Sequence, residues 1–117
     1  MKPLNILCTN SYGIRRGNRI RRYYVQIEFE NSVTEDFTKR FLQTLETKSG
    51  TAGCEYKGQE YLYFLKVRVK GYYLLPNGKK LLLSLAPLTE DKYDKYCLTL
   101  QIKDVLSFID TESNLSQ

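Results

Sequence analysis

Residues 12–30, YGIRRGNRIRRYYVQIEFE, contain the most regularly patterned strand of the chain and its densest cluster of charge. From residue 23 onward, apolar and polar side chains alternate, which is the period of a strand with one buried face. The apolar positions are Tyr23, Val25, Ile27 and Phe29. Tyr24 begins the opposite, polar side. The stretch therefore predicts a half-buried strand in which Tyr24 points away from the core.

Five arginines lead into this strand within eight positions: Arg15, Arg16, Arg19, Arg21 and Arg22. Residues 13–19 hold two glycines and Asn18 beside the arginines, so the pattern predicts an exposed loop over 13–19. Guanidinium groups donate two parallel hydrogen bonds to phosphate oxygens, so a dense cluster of them is a candidate phosphate clamp. The alternative is a solvated basic loop, or arginines paired with acids such as Glu28 and Glu30.

A short strand over 4–9 is expected before the loop, and a helix is expected after the strand. Ser32 and Glu35 have the spacing of a capping box. Apolar residues then recur at helical spacing, which predicts a core-facing helix from about Val33 to Lys48. These apolar residues are Val33, Phe37, Phe41, Leu42 and Leu45.

The second half of the chain reads mainly as extended segments. Residues 49–60 hold three glycines and predict a loop, with a short extended piece at 54–57. Alternation predicts a strand over 61–70, and the Pro76-Asn77-Gly78 turn predicts a hairpin between 72–75 and 79–86. A last strand is expected over 96–103, followed by a short helix capped by Asp104.

These elements predict an α+β fold in a single small domain over residues 1–110, with a frayed tail at 111–117. The expected architecture is a mainly antiparallel sheet of about five strands with one main helix. The pattern does not separate this from a small bent barrel like the OB-fold.

Two further groups of residues are candidates for nucleic-acid contact. Ten tyrosines occur in 117 residues, and single-strand binders use aromatic rings as stacking platforms. Tyrosine is also a favoured strand and interface residue, so only the outward-pointing Tyr24 is taken as a site residue. The other group is a basic set around the hairpin: Lys66, Arg68, Lys70, Lys79 and Lys80. Lysines on edge strands also prevent aggregation, which is the structural alternative.

The composition indicates a globular chain that binds a partner and performs no recognisable chemistry. The formal net charge is +5 and there is no histidine. Three widely spaced cysteines form no CxxC pair, so we predict no metal, no cofactor and no enzymatic activity. Cys8 and Cys97 fall in apolar patterns and are expected to be buried and unpaired, which favours a reducing, cytoplasmic location. No segment is apolar enough for a membrane span.

The leading hypothesis is therefore a small basic module that binds nucleic acid, either RNA or single-stranded DNA. A protein-interaction module is the alternative, such as a small subunit of a ribonucleoprotein complex or an inhibitor of a nuclease complex. A basic chain weakens the version in which an inhibitor mimics DNA. A hydrolase or transferase that uses carboxylates is a distant third.

Overall fold

The computed structural model describes residues 3–47, 52–56, 59–63, 66–87 and 95–115. Six strands and two helices occur in these ranges. In chain order they are β1 (Pro3–Arg15), β2 (Asn18–Phe29), α1 (Glu35–Thr47), β3 (Ala52–Tyr56), β4 (Gln59–Tyr63), β5 (Val67–Leu74), β6 (Lys80–Pro87) and α2 (Lys95–Leu115).

Four of the strands form one antiparallel sheet in the order β1-β2-β6-β5, and β3 pairs with β4 in a separate two-stranded sheet. The predicted α+β class with antiparallel strands is thus confirmed. The bent-barrel alternative is not confirmed, because the described sheet is open, with β1 at one edge and β5 at the other.

Both helices cover the same face of the four-stranded sheet, where α1 contacts β5 and α2, and α2 contacts β1. The predicted alternation of β2 is confirmed, since Tyr23, Val25, Ile27 and Phe29 are all buried. They join Leu81, Leu83 and Leu85 of β6 and the apolar sides of both helices in one core. The opposite face of the sheet carries neither helix.

Helix α1 begins two residues later than the capping-box prediction. Thr34 caps it, because its Oγ1 accepts a hydrogen bond from the Phe37 N–H at 3.0 Å. The Ser32 hydroxyl instead donates to the Asn77 carbonyl at 2.6 Å. The core role of the helix is confirmed: Phe41, Leu42 and Leu45 are buried.

The predicted β5–β6 hairpin is present, and its turn is fixed against the start of α1. Gly78 has a φ of +70°, and a Cβ there would lie 2.7 Å from the Val33 carbonyl oxygen. The Val33 N–H also donates to the Gly78 carbonyl at 2.8 Å. Glycine is therefore required at this position for both its conformation and its close contact.

The C-terminal assignment was wrong, because residues 96–103 lie within helix α2 and not in a strand. Leu98, Leu100 and Ile102 alternate as a strand does, but Leu98 and Ile102 are also one helical turn apart. The buried set continues at helical spacing through Val105, Leu106 and Ile109. Cys97 accordingly lies in this helix, while Cys8 of β1 is partly buried against the core.

The glycine-rich segment and the strand predicted over 61–70 are also organised differently. Ala52–Tyr56 and Gln59–Tyr63 are the paired strands β3 and β4 where a loop was predicted, and β5 is a separate strand that begins at Val67. Strand β3 contacts α2. Within the described ranges, no helix is both long and apolar enough to cross a membrane.

Candidate nucleic-acid interface

The arginine-rich stretch is a β-hairpin and not the predicted loop. The pairing of β1 with β2 continues without interruption from Asn5–Glu28 to Arg15–Asn18, and Arg16 and Gly17 form the turn. Both turn residues have positive φ, 53° and 78°, which is the pattern of tight hairpin turns whose twist matches that of the strands. Strand β1 extends beyond its predicted end at residue 9, because the polar residues that follow also pair with β2. Arg15 and Arg16 are exposed at the tip.

Alternation along the hairpin divides the arginines between its two faces. Arg22 shares a face with Tyr24, whereas Arg21 lies on the side of Tyr23 and the helices. The Arg21 Nη2 donates to the Tyr23 hydroxyl at 2.5 Å, and its guanidinium carbon lies 5.6 Å from the ring centroid. The guanidinium group of Arg21 is therefore held against Tyr23. Arg19 pairs with Ile14 in the register, and its side chain is outside the described set.

The face of the four-stranded sheet that the helices leave uncovered, here called the open face, is defined by the register. Residues paired across antiparallel strands share a face, so three rows cross the sheet in order. The first row is Ser11, Arg22, Ala86 and Arg68; the second is Thr9, Tyr24, Ser84 and Gly71; the third is Leu7, Gln26, Leu82 and Tyr73. Arg22 is placed beside Ala86 by continuing the register one step beyond the Tyr23–Leu85 pair.

Two arginines that are 46 positions apart in sequence, Arg22 and Arg68, lie in the first row. Arg22 and Arg68 flank Ala86 on either side, so their backbones are two strand spacings apart, about 10 Å. Arg68 is exposed and Arg22 is partly exposed. This pair places two guanidinium groups at one end of the open face, the end from which the arginine hairpin extends.

Tyr24 lies in the second row among small side chains. Its neighbours across the strands are Thr9 and Ser84, and Gly71 follows beyond Ser84. A Cβ added at Gly71 would meet nothing within 4 Å, so the space above this part of the sheet is open. Tyr24 itself is 48% exposed.

The third row supplies apolar surface that no local sequence pattern assigns to the site. Leu7, Leu82 and Tyr73 are all exposed large apolar residues and fall in one line across the sheet. Tyr73 was one of many strand tyrosines in the sequence, and nothing local marked it out. Its side of the sheet depends on the bulge between Val69 and Gly71 and on the position of the hairpin turn.

The basic set around the hairpin is divided between separate regions. Lys66 and Arg68 lie at the arginine end of the sheet, whereas Lys79 and Lys80 lie at the other end, about 20 Å away along β6. The Lys80 Nζ lies 3.6 Å from the Glu28 Oε1. Glu28 is the one acidic residue among the described strand residues of the open face. Lys70 is at the bulge and lines a groove of about 470 Å³ between β5 and α1.

No protein-family model, curated protein or solved structure matches this chain. In the part of the chain that the structure describes, no three His, Cys, Asp or Glu side chains are grouped as a metal site requires. The arrangement that remains is a sheet face with aromatic and apolar residues at its centre and arginines at one end.

Proposed function

We propose that the protein binds nucleic acid, RNA or single-stranded DNA, on the open face of its sheet. The observation that carries this proposal is the placement of Tyr24 two residues from Arg22 on β2, about 7 Å along the strand. A phosphate bound at Arg22 and Arg68 then has its base within reach of the tyrosine ring. Stacking on aromatic rings beside basic side chains is how proteins hold single strands without reading a sequence.

The charge of the face supports a polyanion as its ligand. The strand residues of the open face include Arg15, Arg22, Arg68 and Lys80, against the single acid Glu28, which Lys80 already pairs. Arg15 and Arg16 extend the same charge past the end of β6 along the hairpin. Arg21 has no direct part in binding, because it is held on the other side against Tyr23.

A protein partner, such as a neighbouring subunit of a nucleoprotein complex, is the second candidate. Leu7, Leu82 and Tyr73 favour it, because a line of exposed apolar side chains is typical of protein interfaces. The arginine pair at the end of this line favours nucleic acid over a neutral protein surface. The two candidates differ in their dependence on salt.

The test is fluorescence anisotropy of labelled single-stranded oligonucleotides over a range of salt concentrations. Each phosphate contact on a single strand contributes about 0.7 to the slope of log K against log salt, so the double variant Arg22→Ala, Arg68→Ala is expected to lower that slope by about 1.4. Lys39→Ala, Lys103→Ala is the matched control, since it removes two exposed charges from the helices. An equal loss in both variants would mean that net charge alone attracts the oligonucleotide. No binding by the parent protein at low salt would leave the protein-partner candidate.

A further inference from the structure

The two edges of the four-stranded sheet are built differently. Strand β5 carries the devices that keep a sheet edge from pairing with another chain: Arg68 and Lys70 are charged, and a bulge interrupts the strand between Val69 and Gly71. The Glu46 carboxylate also accepts a hydrogen bond from the Val69 N–H at 2.7 Å. This edge is blocked.

Strand β1 has a bulge at its start, between Pro3 and Asn5, and carries none of these devices from Asn5 to Ile14. No charged residue occurs from Leu4 to Ile14, and the register with β2 runs from Asn5 to Arg15 without a bulge. Among the described residues, no strand pairs with the outer side of β1. A long, regular and uncharged edge is a template for pairing with another strand.

The inward-facing side chains of β1 are also incompletely covered. Ile6 and Cys8 pack against the core but stay partly exposed, while their partners on β2, Ile27 and Val25, are 0% and 2% exposed. Among the described strands, β2 has a neighbour on both sides and β1 has one. A further strand beside β1 would complete the burial of these two residues.

Two of the three exposed large apolar residues of β1, Leu4 and Ile14, are equally far from Thr9 along the chain. Ile14 and Leu4 are the two most exposed large apolar side chains in the described ranges, at 82% and 65%. Each is five residues from Thr9, so an antiparallel copy of β1 centred on Thr9 places Leu4 of one copy opposite Ile14 of the other. Two such contacts form in one symmetric pairing, and the residues from Leu4 to Ile14 carry no charge that would repel the other copy.

From these observations we propose that the chain forms a homodimer in which two β1 strands pair antiparallel, centred on Thr9. The twofold axis is perpendicular to the sheet, so each surface patch meets its own copy. The result is one continuous sheet of eight strands with all four helices on the same face.

The dimer also extends the surface proposed for nucleic acid, a consequence that depends on the proposed function. The two open faces become one, with Tyr24 of each copy two strands from the axis and the two arginine hairpins at opposite ends. A longer oligonucleotide then contacts both copies. The pairing itself does not require nucleic acid, so it is tested in its absence.

Sedimentation equilibrium over a range of protein concentrations tests the pairing. The parent protein is expected to approach twice the chain mass of 13.7 kDa. Thr9→Lys places like charges opposite each other at the axis and is expected to weaken the dimer on the order of tenfold or more. An equimolar mixture of Thr9→Lys and Thr9→Glu is expected to regain the dimer, because opposite charges then face each other.

Gln26→Lys is the matched control, since it adds the same charge to the same face one strand further in and is expected to leave the dimer intact. Ile14→Asp, at an exposed position, provides a second disruptive variant should Thr9→Lys fail to fold by circular dichroism. A monomeric parent protein at high concentration overturns the proposal, as does a dimer that neither variant weakens. Oligonucleotide binding by a monomeric variant would separate the two proposals.

Discussion

Tyr24 and Tyr72 lie on opposite faces of the sheet, and the strand register determines which face each one occupies. Both are strand residues with similar exposure, 48% and 41%. Tyr24 lies on the open face among Thr9 and Ser84, whereas Tyr72 pairs with Leu83 and its hydroxyl lies 3.4 Å from the Glu35 carboxylate on α1. The first ring faces open space, and the second faces a helix.

We therefore expect Tyr24→Ala to weaken binding of a single strand by roughly 1 to 3 kcal/mol, the contribution of one stacked base. Binding of a duplex is expected to change little, since its bases are already stacked. Tyr72→Ala is the matched control and is expected to leave binding intact. Titration of the same labelled oligonucleotide into the three proteins gives the comparison. Equal losses for both tyrosines would contradict the assignment of the open face.

At the scale of the element, the β1–β2 hairpin gives neighbouring arginines different roles. Arg15 and Arg16 project from the tip, and Arg21 is held by a hydrogen bond and by the face of the Tyr23 ring. An exposed charge contributes little to folding, whereas a partly buried guanidinium over an aromatic ring contributes more.

Arg21→Ala is accordingly expected to lower the free energy of unfolding by about 1 to 3 kcal/mol, because it removes a charged hydrogen bond and a cation–π contact. Arg15→Ala, Arg16→Ala together are expected to leave it unchanged within about 0.5 kcal/mol while weakening oligonucleotide binding. Urea denaturation of each variant measures the first quantity. A hairpin-tip variant as unstable as Arg21→Ala would show that the tip arginines also support the fold.

The elements that the sequence predicted well are those whose signal is local. Alternation in β2 was enough to identify its buried side, and the Pro76-Asn77-Gly78 turn fixed the β5–β6 hairpin. In contrast, the start of α2 satisfied both a strand pattern and a helix pattern. The neighbours that favour the helix are the core residues of α1 and the sheet.

The candidate site was predictable only in part, because it is assembled by register. Tyr24 and the arginines could be read from their own stretch, and alternation alone separates Arg21 from Arg22 once the stretch is known to be a strand. Strand order places Arg22 and Arg68 in one row of the open face. It also places Leu7, Leu82 and Tyr73 in another row. No local pattern contains that information.

In the whole molecule, one face of the four-stranded sheet is buried in the core and the other face is exposed. The helices cover one face of the sheet and complete the core, and the other face carries aromatic, apolar and basic residues among small polar ones. The function proposed above places the binding surface on this open face.

An NMR titration of isotopically labelled protein with a short single-stranded oligonucleotide at low salt tests that claim most directly. We expect amide shift changes on the open face, strongest at Arg22, Tyr24, Leu82, Arg68 and Tyr73. Exposed positions of α1, such as Lys39 and Gln43, are expected to stay unchanged and provide the internal control. Shift changes confined to the helices, or no change at any oligonucleotide concentration, would contradict it.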